Sequence, residues 1–147
     1  MAPLYHYGSE AEIIRIGEVF AAATLPKAEW THGAHWAAAF WLILKHPHLT
    51  PETDMPDMIR RYNEAVGTPN TDSEGYHETI TQASLIVARG FIAREGENAS
   101  LHALCNSLFA SRFGRSDWLF QHWSKGVLFS VKARKEWVAP DLKPLRV

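Results

Sequence analysis

The sequence predicts an all-α protein, a helical bundle of four longer helices followed by short C-terminal ones. Three observations predict it. No stretch of the 147 residues alternates apolar and polar side chains with the period of two that a half-buried strand requires. Four stretches instead repeat apolar residues at three- and four-residue intervals, each near a Ser, Thr, Asp or Pro that can start a helix. One of them, His35 to Leu44, is apolar nearly all round, which is the composition of a helix buried at the centre of a bundle.

The first helix opens at Ser9, and Glu12 three residues on gives the pattern of a capping box. Ile13, Ile14, Ile16, Val19 and Phe20 mark its buried face, and Pro26 punctuates its end. The second helix starts between Pro26 and Thr31 and runs to about Lys45, where His46-Pro47-His48 stops it. Thr50-Pro51 and Asp54 are both caps for a third, with Pro51 or Pro56 at its first position. Its face is Met58, Ile59, Tyr62 and Val66, and Gly67 suits the residue just past its end.

Thr71, with Glu74 completing the box, is expected to cap the fourth helix. His77, Thr81, Ser84, Ala88 and Phe91 form one stripe of that helix, polar at first and apolar later. Gly90 weakens its last turns. Residues 94–100 read as a polar loop. A fifth helix follows from about Ser100 to Arg112, closed by Gly114. Ser116 is expected to cap a short sixth to about Trp123, and Ser130 a last turn through Trp137. Pro140 and Pro144 make the tail extended. Residues 1–147 thus read as one helical domain, with 1–8 and 140–147 extended.

Composition bounds the function. A hydrophobic fraction of 46%, a charged fraction of 21% and a net charge of -1 are those of an ordinary globular chain. They give no electrostatic case for nucleic acid or an anionic membrane surface. The longest apolar run, Trp36 to Leu44, is too short to span a bilayer. The start lacks the basic and apolar regions of a signal peptide, and Cys105 is the single cysteine. The expectation is a cytoplasmic protein. Six Trp, four Tyr and seven Phe promise an aromatic core, with some rings available to line a pocket.

The chemistry-bearing residues gather at two helix starts. Trp30-Thr31-His32-Gly33-Ala34-His35-Trp36 heads the second helix, and Gly75-Tyr76-His77-Glu78-Thr79-Ile80-Thr81 heads the fourth. If the first four helices run up and down, those starts share one end of the bundle. Residues three apart on a helix are neighbours, so His32 and His35 can share an ion. The positive end of the helix dipole keeps their rings neutral. With His77 as a third ligand, the expected centre is one divalent ion, zinc or iron, with water completing it. Glu78 is then the candidate proton acceptor, and Glu29, Trp36, Tyr76 and Thr81 surround the pocket. The reaction would be metal-assisted hydrolysis or oxidation of a small molecule.

Glu29–His32 and Glu74–His77 also match the Glu-x-x-His spacing of di-iron bundles, yet Glu12 and Glu18 lack a clear inward placement. Two further readings stay open, as does the question of whether the protein is an enzyme. One is a non-catalytic module binding a small molecule or anion at the two helix ends. The other is a structural or interaction protein whose histidines are core hydrogen-bonders, with Trp118, Phe120 or Trp123 facing a partner. A homodimer is compatible with a bundle of this size, although no dimer face is marked. Among lesser candidates, His102 and Cys105 read as a partly buried ring and a core thiol, and Arg112, Arg115, Lys125, Lys132, Arg134 and Lys135 as a solvated basic face.

The segments Thr24–His32, Tyr62–Gly67 and Gly75–Thr81, with Leu128-Phe129-Ser130 and Trp137–Asp141, resemble a family of uncharacterised small bacterial proteins. The resemblance runs from about residue 20 to residue 144 and implies a common fold without a particular chemistry. Helical metalloproteins of the DinB type are a looser comparison. Their single histidine precedes a His-x-x-x-His pair, whereas here His-x-x-His comes first, so their function does not transfer.

Overall fold

A computed structural model describes residues 5–96 and 98–147. Residues 1–4 of the expected extended start and Glu97 of the expected loop lie outside the described residues. The protein is a helical bundle, with no strand among the described residues. Helices α1 (Glu10–Ala21), α2 (His32–Lys45), α3 (Pro51–Ala65), α4 (Glu78–Glu95) and α5 (Leu101–Ala110) carry the core; α6 (Lys125–Leu128) and α7 (Val131–Lys135) are single turns. Short 3₁₀ segments lie at Lys27–Glu29, Arg112–Gly114 and Ser116–Gln121. No described helix is long and apolar enough to cross a membrane.

α2 sits at the centre because its whole circumference is apolar. It touches α1, α3, α4 and α5, and Trp36, Ala37, Ala38, Ala39, Phe40, Trp41 and Leu42 are all buried. The three alanines and Gly17 let neighbours come close: a Cβ on Gly17 would sit 2.2 Å from the Trp41 ring. Thr31 caps α2, its side-chain oxygen accepting from Ala34 N–H at 3.1 Å.

α3 opens with Pro51 after Thr50, and the Asp54 carboxylate accepts from the Thr50 N–H at 2.7 Å. Pro56 falls inside the helix and brings no N–H for the carbonyl of Glu52, four residues back. The side chain of Gln82 on α4 donates to that carbonyl at 2.8 Å instead.

Several expected boundaries move. Ser9 flanks α1 without a side-chain cap bond, so the Ser9–Glu12 box does not form. Thr71 caps a turn and not α4: its hydroxyl oxygen accepts from Ser73 and Glu74 N–H, and the chain then turns through Gly75. Gly75 has a φ of 80° and packs so closely on Pro69 that a Cβ would lie 2.3 Å from its carbonyl oxygen. α4 begins at Glu78 and runs through Gly90 to Glu95. α5 stops at Ala110, short of Arg112. Ser116 is the first residue of a 3₁₀ segment and not a cap, while Ser124 and Ser130 cap α6 and α7. Trp137 lies beyond α7.

Candidate functional site

The cavity of interest lies between the starts of α2 and α4, α3 and the Ser116–Gln121 segment. Its volume is about 330 Å3. His32, His35 and Trp36 line it from α2, with Ala39 a turn further on; Ile80, Thr81 and Ser84 line it from α4. Met55, Ile59, Trp118 and Leu119 supply apolar wall that the histidine pattern alone gave no reason to assign, because they come from segments remote in sequence. Ser116 completes the lining, and no Asp, Glu, Lys or Arg takes part.

His35 is the best-defined polar group. Its Nδ1 lies 2.7 Å from the Thr31 carbonyl oxygen. A carbonyl only accepts, so Nδ1 carries the proton and donates, and Nε2 carries a lone pair. Nε2 has no hydrogen-bond partner among the described residues. The ring packs on Trp30 with centroids 3.8 Å apart, and Trp30 stacks in turn on Phe20 at 4.4 Å. Although surrounded by protein, the His35 ring is exposed, as a group on a concave wall is. Desolvation by those surroundings pushes its pKa down to about 4, outweighing the Thr31 hydrogen bond that raises it.

His32 presents a conflict at one atom. Its Nε2 lies 3.1 Å from the Phe113 carbonyl oxygen and 3.2 Å from Trp36 Nε1. The carbonyl demands a proton on Nε2 and the indole N–H demands a lone pair, so one tautomer serves only one of them. Burial holds the His32 pKa below the ordinary imidazole value, against the Phe113 bond that raises it.

His77 was expected as the third metal ligand and is placed otherwise. It is the N-cap of α4: Nδ1 accepts from Ile80 N–H at 3.2 Å, and Nε2–H donates to the Leu128 carbonyl at 2.7 Å. Both nitrogens are committed to the fold. Glu78, expected as proton acceptor, accepts from the Tyr76 hydroxyl and from Gln82 and does not line the cavity. Tyr76 is buried beneath the Arg60 guanidinium, 4.2 Å from its ring centre. Burial and then Glu78 raise its pKa.

Glu29 faces Arg15 of α1 at 2.8 Å, away from the cavity. Among the described residues no three His, Cys, Asp or Glu side chains are grouped to hold an ion. The donor set therefore does not fit the expected three-histidine centre, because His77's lone pair is already engaged. Of the expected site residues, the cavity unites His32, His35, Trp36 and Thr81; His77, Glu78, Glu29 and Tyr76 stand outside it.

Thr81 and Ser84 point their hydroxyl protons back along α4, to His77 O at 2.9 Å and Ile80 O at 2.8 Å. The oxygens are left to accept. Two further histidines bond within the fold. His122 is buried, with Nδ1 donating to Lys143 O and Nε2 accepting from Arg112. His102 sits against Glu10 at 3.2 Å. Cys105 is fully buried, and burial raises its thiol pKa, the profile of a core thiol. Trp118 and Trp123, expected among the partner-facing aromatics, are 1% and 0% exposed; Phe129 at 55% and Trp137 at 40% are the open ones.

Against this geometry, comparison of the chain with protein-family models, curated proteins and solved structures returned no match.

Proposed function

We propose that the protein binds an uncharged, largely apolar small molecule in the cavity between α2, α3 and α4. The observation that carries this reading is the lining itself: a concave apolar wall with a few convergent polar atoms and no charged side chain. Size supports it as well. The cavity is about 330 Å3, roughly twice the 150 Å3 that admits benzene in an engineered apolar cavity. An occupant of two fused rings matches that volume.

A charged ligand would leave an unpaired charge in an apolar site, a large desolvation cost. The His35 ring is kept neutral by its surroundings, so it supplies a hydrogen-bonding atom and not a counter-charge.

The test is thermal shift with a panel of uncharged one- and two-ring compounds, before and after chelator treatment. A binder present at 100 times its dissociation constant adds about 2.7 kcal/mol of stability. The expected result is stabilisation by two-ring compounds that survives the chelator and is lost in Ser84→Phe, whose ring fills the cavity. A panel without effect, or stabilisation indifferent to Ser84→Phe, overturns the reading.

A further inference from the structure

We propose that the ligand is gripped by a hydrogen bond that it donates to His35 Nε2, so that the cavity selects two-ring molecules bearing an N–H or O–H over isosteres that lack one. This rests on the small-molecule reading above and goes further by naming the polar group the ligand must carry.

Three features of the α2–α4 wall lead to it. His35 Nδ1–H is fixed on the Thr31 carbonyl at 2.7 Å, which sets the tautomer and leaves Nε2 able only to accept. The imidazole is held in orientation by Trp30 at 3.8 Å and by the first turn of α2. An acceptor held in place before binding loses little freedom when a donor arrives. Thr81 and Ser84 donate to His77 O and Ile80 O, so their oxygens offer the cavity lone pairs as well. The Trp36 indole N–H of this wall is turned onto His32 Nε2 at 3.2 Å, so the His35 Nε2 and hydroxyl lone pairs are what the α2–α4 wall turns to a ligand.

A ligand with a donor satisfies them; a ligand with an acceptor at the same place meets lone pairs. Nothing in the lining is acidic, so the donor need not be cationic. An indole-like or phenol-like N–H or O–H is the chemistry that fits.

The experiment compares indole, benzothiophene and quinoline binding to the wild-type protein at pH 7 by titration calorimetry. These are two-ring molecules of similar size carrying a donor, no strong hydrogen-bonding group and an acceptor. One hydrogen bond predicts indole about tenfold tighter than benzothiophene, with quinoline the weakest. In His35→Phe, which keeps a ring against Trp30 and removes the acceptor, the preference should fall to near unity while benzothiophene still binds.

A second readout needs no variant. The ¹⁵N resonance of His35 Nε2 should shift on adding indole and stay put on adding benzothiophene. Equal affinities for indole and benzothiophene in the wild-type protein, a preference that survives His35→Phe, or quinoline binding best would overturn the proposal while leaving the small-molecule reading intact. No binding by any of the three removes both.

Discussion

His77 performs at an N-cap a task more often given to a hydroxyl or carboxylate, and its second nitrogen ties the start of α4 to Leu128. Losing it removes a cap worth about 1 kcal/mol and orphans a buried carbonyl worth roughly 1–3 kcal/mol more. His77→Ala should therefore lower the unfolding free energy by about 2–4 kcal/mol in urea denaturation, and His77→Asn, which restores the cap acceptor, should recover about 1 of it.

The same residue sets a pH response. Burial, the largest cause, holds the His77 pKa below its usual 6.5 in the folded state. The unfolded chain then binds more protons below that value, so stability is full above about 6.5 and falls as pH drops toward the folded value. His32 and His35 carry the same sign, with His35 titrating only near 4. The melting temperature should decline from pH 6.5 downward, less steeply in His77→Asn. A profile flat through that window would contradict imidazoles held neutral by the fold.

At the scale of elements, α3 and α4 are joined by an exchange of donors. Pro56 withholds the N–H that Glu52 O would receive within α3, and Gln82 of α4 supplies one across the interface. Gln82→Ala should cost about 1 kcal/mol in the wild-type background. In Pro56→Ala, where the helix regains its own N–H, the same change should cost close to nothing. A double-mutant cycle on chemical denaturation reads the coupling directly; additive costs would show that the Gln82 bond does not stand in for the N–H that Pro56 lacks. The pair also explains how a proline survives mid-helix beside the cavity wall formed by Met55 and Ile59.

On the scale of the whole molecule, the irregular C-terminal segment closes the bundle. Val138 N–H donates to Thr79 Oγ1 at 3.1 Å, Val138 O accepts from Trp123 Nε1 at 2.9 Å, and Leu142 N–H and Lys143 O both bond to His122. Val147 reaches α4, where a Cβ on Gly90 would lie 2.6 Å from its side chain. Each bond is modest, but together they cover Trp123 and His122, both buried. Removing residues 137–147 should lower the melting temperature by several degrees and shift tryptophan emission to the red as Trp123 meets water. Unchanged emission would mean that the tail is not what covers it.

The helical class was legible because its signals are local. Period, caps and breakers act within a few residues, which is why Pro51, Gly67, Ser100 and Ser130 stand where the sequence places them. Misplaced boundaries have equally local causes. Thr71 and Glu74 carry the letters of a capping box, but the same oxygen can close a free turn, and Gly75 then ends it.

The histidines show where local signals stop. Sequence alone brought His32, His35 and Thr81 forward as one pocket group, from chemistry and connectivity. It carried no information on which lone pair each ring would keep. That was decided by carbonyls distant in the chain: Leu128 O accepts from His77 Nε2–H across 51 residues, and Phe113 O contests His32 from 81. Only Thr31, four residues from His35, is close enough to have been anticipated. The apolar wall has the same origin, since Trp118 and Leu119 reach the cavity through a 3₁₀ segment with no periodic signature. Helix formation is set by neighbours in sequence; a tautomer and a cavity are set by neighbours in space, and only the tertiary structure brings those together.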